Sequence, residues 1–228
     1  MSKGAEEVDL SQYEEMPAWM KRRYMKGFAL ESPLVFAEYV KTKDERDKDN
    51  PVKPFPYEKP DLKVLYGDID RYSILFVPKS RQIMLTWKLC IYCLWLAKRF
   101  SHRMIYVQSM NLLSAGKLVF NGGASQNWET ARISFLEHHL PGWLRDDVVA
   151  TSDPPRLVFP NGSIIEGIAQ GGDKIRSQVP SFVFSDEAAF QPEFADAYTA
   201  MLPLCKGGAK LVAVSSAGPG FFARVARG

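Results

Sequence analysis

Five short stretches of the chain are rich in β-branched and aromatic residues and apolar enough to be buried. They are Tyr72–Val77 (YSILFV), Arg103–Gln108 (RMIYVQ), the paired runs of Arg156–Glu166 (RLVFPNGSIIE), Ser181–Ser185 (SFVFS) and Lys210–Ser215 (KLVAVS). Between them lie longer stretches with helical spacing, at Met84–Phe100, Asn111–Phe120, Asn127–Leu140 and Pro192–Leu204. Strands that read as continuous apolar runs, alternating with helices, belong in a mainly parallel sheet with helices on both faces. The fold class expected is therefore α/β. Asn161-Gly162 inside the third stretch marks a hairpin, so that one pair of strands is expected to run antiparallel.

Upstream of residue 61 the pattern is different. Helical spacing is visible near Tyr13–Lys26 and Pro33–Thr42, followed by a charged run (KTKDERDKDN, 41–50) and a proline-rich run (PVKPFPYEKP, 51–60). Proline at this density excludes a helix or central strand. Residues 1–60 are expected to be an appendage of short helices and solvated linker, and residues 61–228 the principal domain. The basic cluster Lys21-Arg22-Arg23 with Lys26 reads as a solvated helix face.

Composition excludes several classes. Apolar residues make up 46% of the 228 residues and charged residues 24%, which is ordinary for a globular protein and not for a disordered one. A net charge of +3 does not by itself mark a nucleic-acid binder. The three cysteines make no disulfide framework and fit a reducing compartment. Cys90 and Cys93 have the CxxC spelling but lie within an apolar helix pattern, so core packing is expected of them. His138-His139 reads as a helix end, and Trp87, Trp95 and Trp128 as core. No secretory leader is visible, and the apolar stretch 83–97 is interrupted by Lys88 and shorter than the roughly 20 residues of a membrane span.

In a parallel sheet, ligands bind at the carboxyl ends of the strands. Three strand ends carry polar groups suited to one task. Lys79-Ser80-Arg81-Gln82-Ile83-Met84-Leu85-Thr86 follows the first strand, Asp186-Glu187 the fourth, and Ser215-Ser216 the last. A nucleoside triphosphate needs amide N–H groups and cations around its phosphates, and a hydroxyl with a carboxylate for Mg²⁺. A second carboxylate must address the attacking water. On the GxxxxGK[ST] spacing, Thr86 takes the metal-binding hydroxyl position, Leu85 that of the lysine, Met84 that of the second glycine and Lys79 that of the first. A cation thus stands at the front of the loop, and Arg81 is a second one.

These residues resemble the motifs of phage large terminase subunits, the ATP-driven motors that package viral DNA. KSRQIMLT is similar to that family's deviant Walker A loop with its lysine at the front. FVFSDEAA (182–189) resembles its Walker B, GDKIRS (172–177) its arginine-bearing segment upstream, and Ser215-Ser216-Ala217 its coupling motif. The order agrees across residues 61–220. The resemblance implies a RecA-like, additional-strand P-loop NTPase with ATP and Mg²⁺ held at residues 79–86, Ser215 and Ser216. Thr86 and Asp186 would be the metal ligands and Glu187 the water-positioning base, with Arg81 or Arg176 stabilising transition-state charge. It implies as partners double-stranded DNA, a portal protein, a small terminase subunit and further copies in a ring, all in the host cytoplasm with no membrane. Met84 and Ser177 depart from the family's glycines, and no adenine-binding glutamine matches. The family's nuclease domain is expected to be absent from this chain. Two other functions remain open: another helicase or translocase of the same class, and a non-hydrolysing DNA-binding scaffold.

Overall fold

A computed structural model describes residues 16–44, 46–58, 60–80, 83–218 and 220–227. In chain order the elements are α1 (Ala18–Ala29), α2 (Pro33–Ala37), β1 (Lys41–Lys43), β2 (Val52–Pro54), α3 (Pro60–Arg71), β3 (Ile74–Pro78), α4 (Leu85–Arg99), β4 (Met104–Gln108) and α5 (Leu112–Gly116). There follow α6 (Arg132–His138), β5 (Val149–Ser152), β6 (Pro155–Val158), β7 (Ile164–Ile168), α7 (Asp173–Arg176), β8 (Phe182–Asp186), α8 (Phe194–Lys206), β9 (Lys210–Ser215) and α9 (Phe221–Arg227). Seven of the described strands form one sheet in the order β3-β9-β8-β4-β7-β6-β5. β3, β9, β8, β4 and β7 pair in parallel, and β6 and β5 add an antiparallel edge. This is the mainly parallel sheet the apolar runs require.

Both faces of the sheet are covered, and alternation along each strand shows it. Phe182 and Phe184 of β8, Val212 and Val214 of β9, and Ile105 and Val107 of β4 join a core with α2, α3, α4 and α6. Their neighbours Val183, Leu211, Ala213 and Tyr106 face the opposite way, into a second core with α7, α8 and α9. α4 is the most enclosed helix, with Leu89, Cys90, Ile91, Cys93, Leu94 and Ala97 all fully buried. The thiols accordingly pack as core residues, and burial pushes that of Cys90 up to about 12. No described helix is long and apolar enough to cross a membrane.

Three details depart from the sequence expectations. Where the charged run reads as solvated linker, Lys41–Lys43 pairs antiparallel with Val52–Pro54. Ala29, Leu30, Phe36, Ala37, Val40 and Phe55 join the same core as α4. The helix expected over 127–140 is interrupted. Asn127 accepts from the Glu129 N–H and the Thr130 hydroxyl donates to the Asn127 carbonyl, so local side-chain bonds hold a 3-10 turn there. Ala131 is then extended and the α-helix restarts at Arg132. The helical pattern near Tyr13 lies partly outside the described residues, and α1 begins at Ala18.

Candidate functional site

β9 lies between β3 and β8, so the carboxyl ends of these three parallel strands stand side by side. Pro78 ends β3, and the Lys79 N–H donates to the Ser215 carbonyl at 2.9 Å, continuing the ladder by one bond. The Lys79 ammonium then reaches across β9. It lies 3.0 Å from Glu187 Oε1, 3.8 Å from Asp186 Oδ1 and 3.3 Å from the Thr86 hydroxyl. Thr86 in turn donates to Asp186 Oδ1 at 3.2 Å. The second Glu187 oxygen accepts from the Ser216 hydroxyl at 3.2 Å, and from the Ser216 N–H and the Ser215 hydroxyl at 3.4 Å. Residues more than 130 positions apart thus meet in one hydrogen-bonded cluster.

Two backbone conformations shape this cluster. Met84, the position where the loop spelling has glycine, sits in the left-handed region at φ 57°, ψ 19°. The sequence departs from glycine but the backbone does not. Met84 supplies no side-chain cap to α4, so the first-turn N–H groups of Leu85, Thr86 and Trp87 have neither an intrahelical partner nor a side-chain cap from Met84. Glu187 is left-handed as well, at φ 52°. For a residue with a Cβ this conformation costs about 1–2 kcal/mol, and strain of that kind collects at functional sites. Here it swings the Glu187 carboxylate off the strand line toward Lys79 and the β9 serines.

The two carboxyls have different electrostatics. Burial raises Asp186, and the Lys79 ammonium only partly opposes that, so its carboxyl titrates above the ordinary value. Burial also acts to raise Glu187. The hydrogen bond and charge of Lys79 and the bonds from Ser216 outweigh it, so Glu187 is held below the ordinary value. Adjacent acids whose environments push them apart are suited to different roles. The Thr86 hydroxyl and the Asp186 carboxylate form an all-oxygen pair of the type a hard divalent cation takes, with remaining positions left to phosphate oxygens and water. Among the described residues no cluster of three or more His, Cys, Asp or Glu side chains forms a self-sufficient metal cage.

Beside the cluster opens a cavity of about 650 Å³, lined by Lys79, Ser80, Ile83, Met84, Leu85 and Thr86 on one side and by the β1–β2 hairpin on the other. Its volume lies within the range of small-molecule sites. The hairpin contributes Lys43, Arg46 and Lys53, and α6 contributes Arg132, against the single acid Asp44. The sequence reading placed none of these four cations at the site; Lys43, Arg46 and Lys53 fell in the runs read as linker. Trp87, expected in the core, is only partly buried and lines the cavity as well.

Behind Asp186 runs a buried polar chain that the sequence reading also missed. The Gln191 amide donates to the Asp186 carbonyl at 2.8 Å and to the Ser185 hydroxyl at 3.0 Å. Ser185 donates to Gln108, whose amide donates to the carbonyls of Ala169 and Gly171. Single glutamines in apolar surroundings give no spacing pattern, so their signal is three-dimensional only.

Arg176 is not part of the cluster. Its exposed guanidinium is bound by Asp196 and Asp173 at the carboxyl end of β7, and Asp196 also accepts from the Gly172 N–H at 2.7 Å. Arg81 and Gln82 lie outside the described residues.

No protein-family model matches the chain. No curated protein matches it either. Solved structures do. The large terminase of bacteriophage HK97 superposes with a TM-score of 0.55 at 15% identity, over 82% of this chain and 37% of that one. The large terminase ATPase domain of Thermus phage P74-26 gives 0.49 at 16% identity, over 69% of this chain and 66% of that one. The large terminase of the thermophilic bacteriophage D6E, in complex with ADP, gives 0.43 at 16% identity, over 64% and 34%. The chain therefore spans just over a third of the HK97 protein. The HK97 likeness is one of fold: a mainly parallel sheet with helices on both faces.

Proposed function

We propose that this chain is the ATP-hydrolysing motor domain of a viral large terminase, driving double-stranded DNA into a procapsid. The observation that carries the reading is the meeting of Lys79, Thr86, Asp186 and Glu187 at neighbouring strand ends, beside an electropositive cavity. The fold shared with the HK97 terminase supports it. On this reading residues 61–228 carry the nucleotide site, and the hairpin upstream supplies part of its wall. The partners are double-stranded DNA, a portal protein, a small terminase subunit and further copies in a ring, in the host cytoplasm.

This reading gives each residue a role. Lys79 pairs with both carboxylates, 3.0 Å from Glu187 and 3.8 Å from Asp186. Bound ATP offers it the β- and γ-phosphates instead, and that exchange frees Glu187 to accept from a water. The loop from Ser80 through Leu85, including Arg81, Gln82, Ile83 and Met84, wraps the phosphates, with α4's first-turn N–H groups directed at them. Thr86 and Asp186 would hold Mg²⁺, which would supply charge neutralisation to the phosphates. Ser215 and Ser216 bond to Glu187, through which they sense the γ-phosphate and couple hydrolysis to movement. Arg81, or Arg176 acting on a neighbouring copy, stabilises transition-state charge, a contribution of roughly 10³–10⁵ in rate.

A magnesium-dependent phosphate-release assay tests the reading. Wild type is expected to hydrolyse ATP, and Lys79→Ala to lose about 10²–10³ in turnover, the usual cost of deleting one electrostatic ligand of a transition state. Absence of magnesium-dependent release by the wild type sinks the motor reading in favour of a non-hydrolysing scaffold.

A further inference from the structure

Arg132 has no part in the mechanism above. It opens α6 because the Asn127–Thr130 turn interrupts the preceding helix. Its guanidinium is half-buried, and among the described residues it has no carboxylate partner and no side-chain hydrogen bond; its one ring contact is with Trp87, 5.8 Å from the ring centroid. The other enclosed cations differ. Lys88 has Asp61, Lys98 has Glu137 and Asp146, and Arg156 has Glu166. The acid nearest in sequence, Glu129, is taken by His139 at 2.6 Å. A cation partly withdrawn from water without a counter-ion is unfavourable, which makes an anion its natural complement.

The position of Arg132 says which anion. It lines the cavity that contains Lys79 and Thr86, and also an adjoining one of about 330 Å³ shared with Lys43 and Trp87. Its positive charge bears on Asp186, so the guanidinium lies within electrostatic reach of the proposed metal ligand. The Trp87 ring, 5.8 Å from the guanidinium, favours this placement, and any such pre-ordering lowers the cost of binding. A planar fork of donors matches phosphate oxygens in a way a hydroxyl or amide does not.

We propose that Arg132 is a cis-acting ligand of the nucleotide's polyphosphate, reaching it from the α6 side of the pocket with Lys43 of the hairpin beside it; this rests on the ATP reading above. Phosphate is then gripped from two directions, by the 79–86 loop and by α6. An arginine at the start of α6 would also connect the nucleotide to the β1–β2 hairpin, whose Lys43 lines both cavities.

The test is calorimetric titration of the full chain with MgATP and, separately, magnesium tripolyphosphate, with thermal melting alongside. Arg132→Gln is expected to weaken both ligands by about 10–100-fold, as loss of charge-assisted hydrogen bonds does, with an unchanged melting temperature. Arg132→Lys, which keeps the charge, is expected to recover part of the affinity, and Lys43→Gln to cost less than Arg132→Gln. If Arg132 only props the hairpin through Trp87, tripolyphosphate binding stays at the wild-type value and the proposal is overturned. Wild-type affinity for MgATP in Arg132→Gln overturns it too, while leaving the ATP reading intact. A wild type that binds neither ligand overturns both.

Discussion

Replacing Glu187 by Gln is expected to leave MgATP bound and to lower turnover by about 10²–10⁴-fold, the range of general-base catalysis. The amide has the size of the carboxylate and can still accept from the Ser216 hydroxyl and N–H, bonds of 3.2 and 3.4 Å in the wild type. It has no negative charge and cannot take a proton from water. Thr86 and Asp186 are untouched, and Lys79 loses its 3.0 Å partner and is left freer for the phosphates, so affinity for MgATP should be kept or rise. Equilibrium binding and single-turnover hydrolysis measured on the same preparation separate the two effects. Wild-type turnover in the variant would remove Glu187 from the water-positioning role. The pH dependence adds a second check. Glu187 is held below the ordinary carboxyl value and stays ionised as acid is added, whereas burial raises Asp186. Metal-dependent nucleotide binding is therefore expected to weaken first on the acid side, as Asp186 protonates, while Glu187 remains an anion.

How much of this was legible in the sequence depends on the distance over which each feature is encoded. Strands such as Lys210–Ser215 declare themselves locally, because burial on both faces demands an unbroken apolar run, and the polar residues that end them are equally plain. Met84 is a subtler case. The spelling breaks the glycine pattern, yet the backbone takes the left-handed conformation glycine favours. The β1–β2 ribbon was not legible, since Lys41–Lys43 and Val52–Pro54 have neither apolar alternation nor a tight-turn dipeptide. Arg132 stayed hidden for a related reason. It sits inside a helical pattern, and only the competing Asn127 and Thr130 hydrogen bonds bring it to a helix start beside the phosphate loop. Gln108 and Gln191 act through contacts 77 and 5 or 6 residues away, for which no sequence period exists.

Replacing Lys98 by Met is expected to destabilise the fold by about 3–5 kcal/mol, the cost of removing one partner from a buried ion pair. Lys98 lies in the last turn of α4, which has Thr86 in its first. Its ammonium is fully enclosed, 2.9 Å from Glu137 and 2.6 Å from Asp146, and Asp146 is also bound by Lys26 of α1. The network therefore fastens α4, α6 and α1 to one another. Methionine is flexible and fills most of the volume, so what remains is chiefly a buried Glu137 without its cation. That carboxyl is already raised by burial, with Lys98 the main opposing influence. Without Lys98 its folded-state value rises further above the unfolded one, so the folded variant binds a proton that the unfolded chain does not. Acid consequently favours the folded variant, and the stability gap to wild type is expected to narrow as pH falls from neutral toward the ordinary carboxyl range. Denaturant unfolding at several pH values measures this, and a gap that widens on acidification would contradict it. Because total stability of a domain is about 5–15 kcal/mol, the variant stands near its threshold at warm temperatures. At low temperature, where it remains folded, its affinity for MgATP should match the wild type, since the network lies at the opposite end of α4 from Thr86. Fold loss without site loss is the reverse of what Glu187→Gln does, and the two variants together separate what supports the nucleotide site from what acts in it.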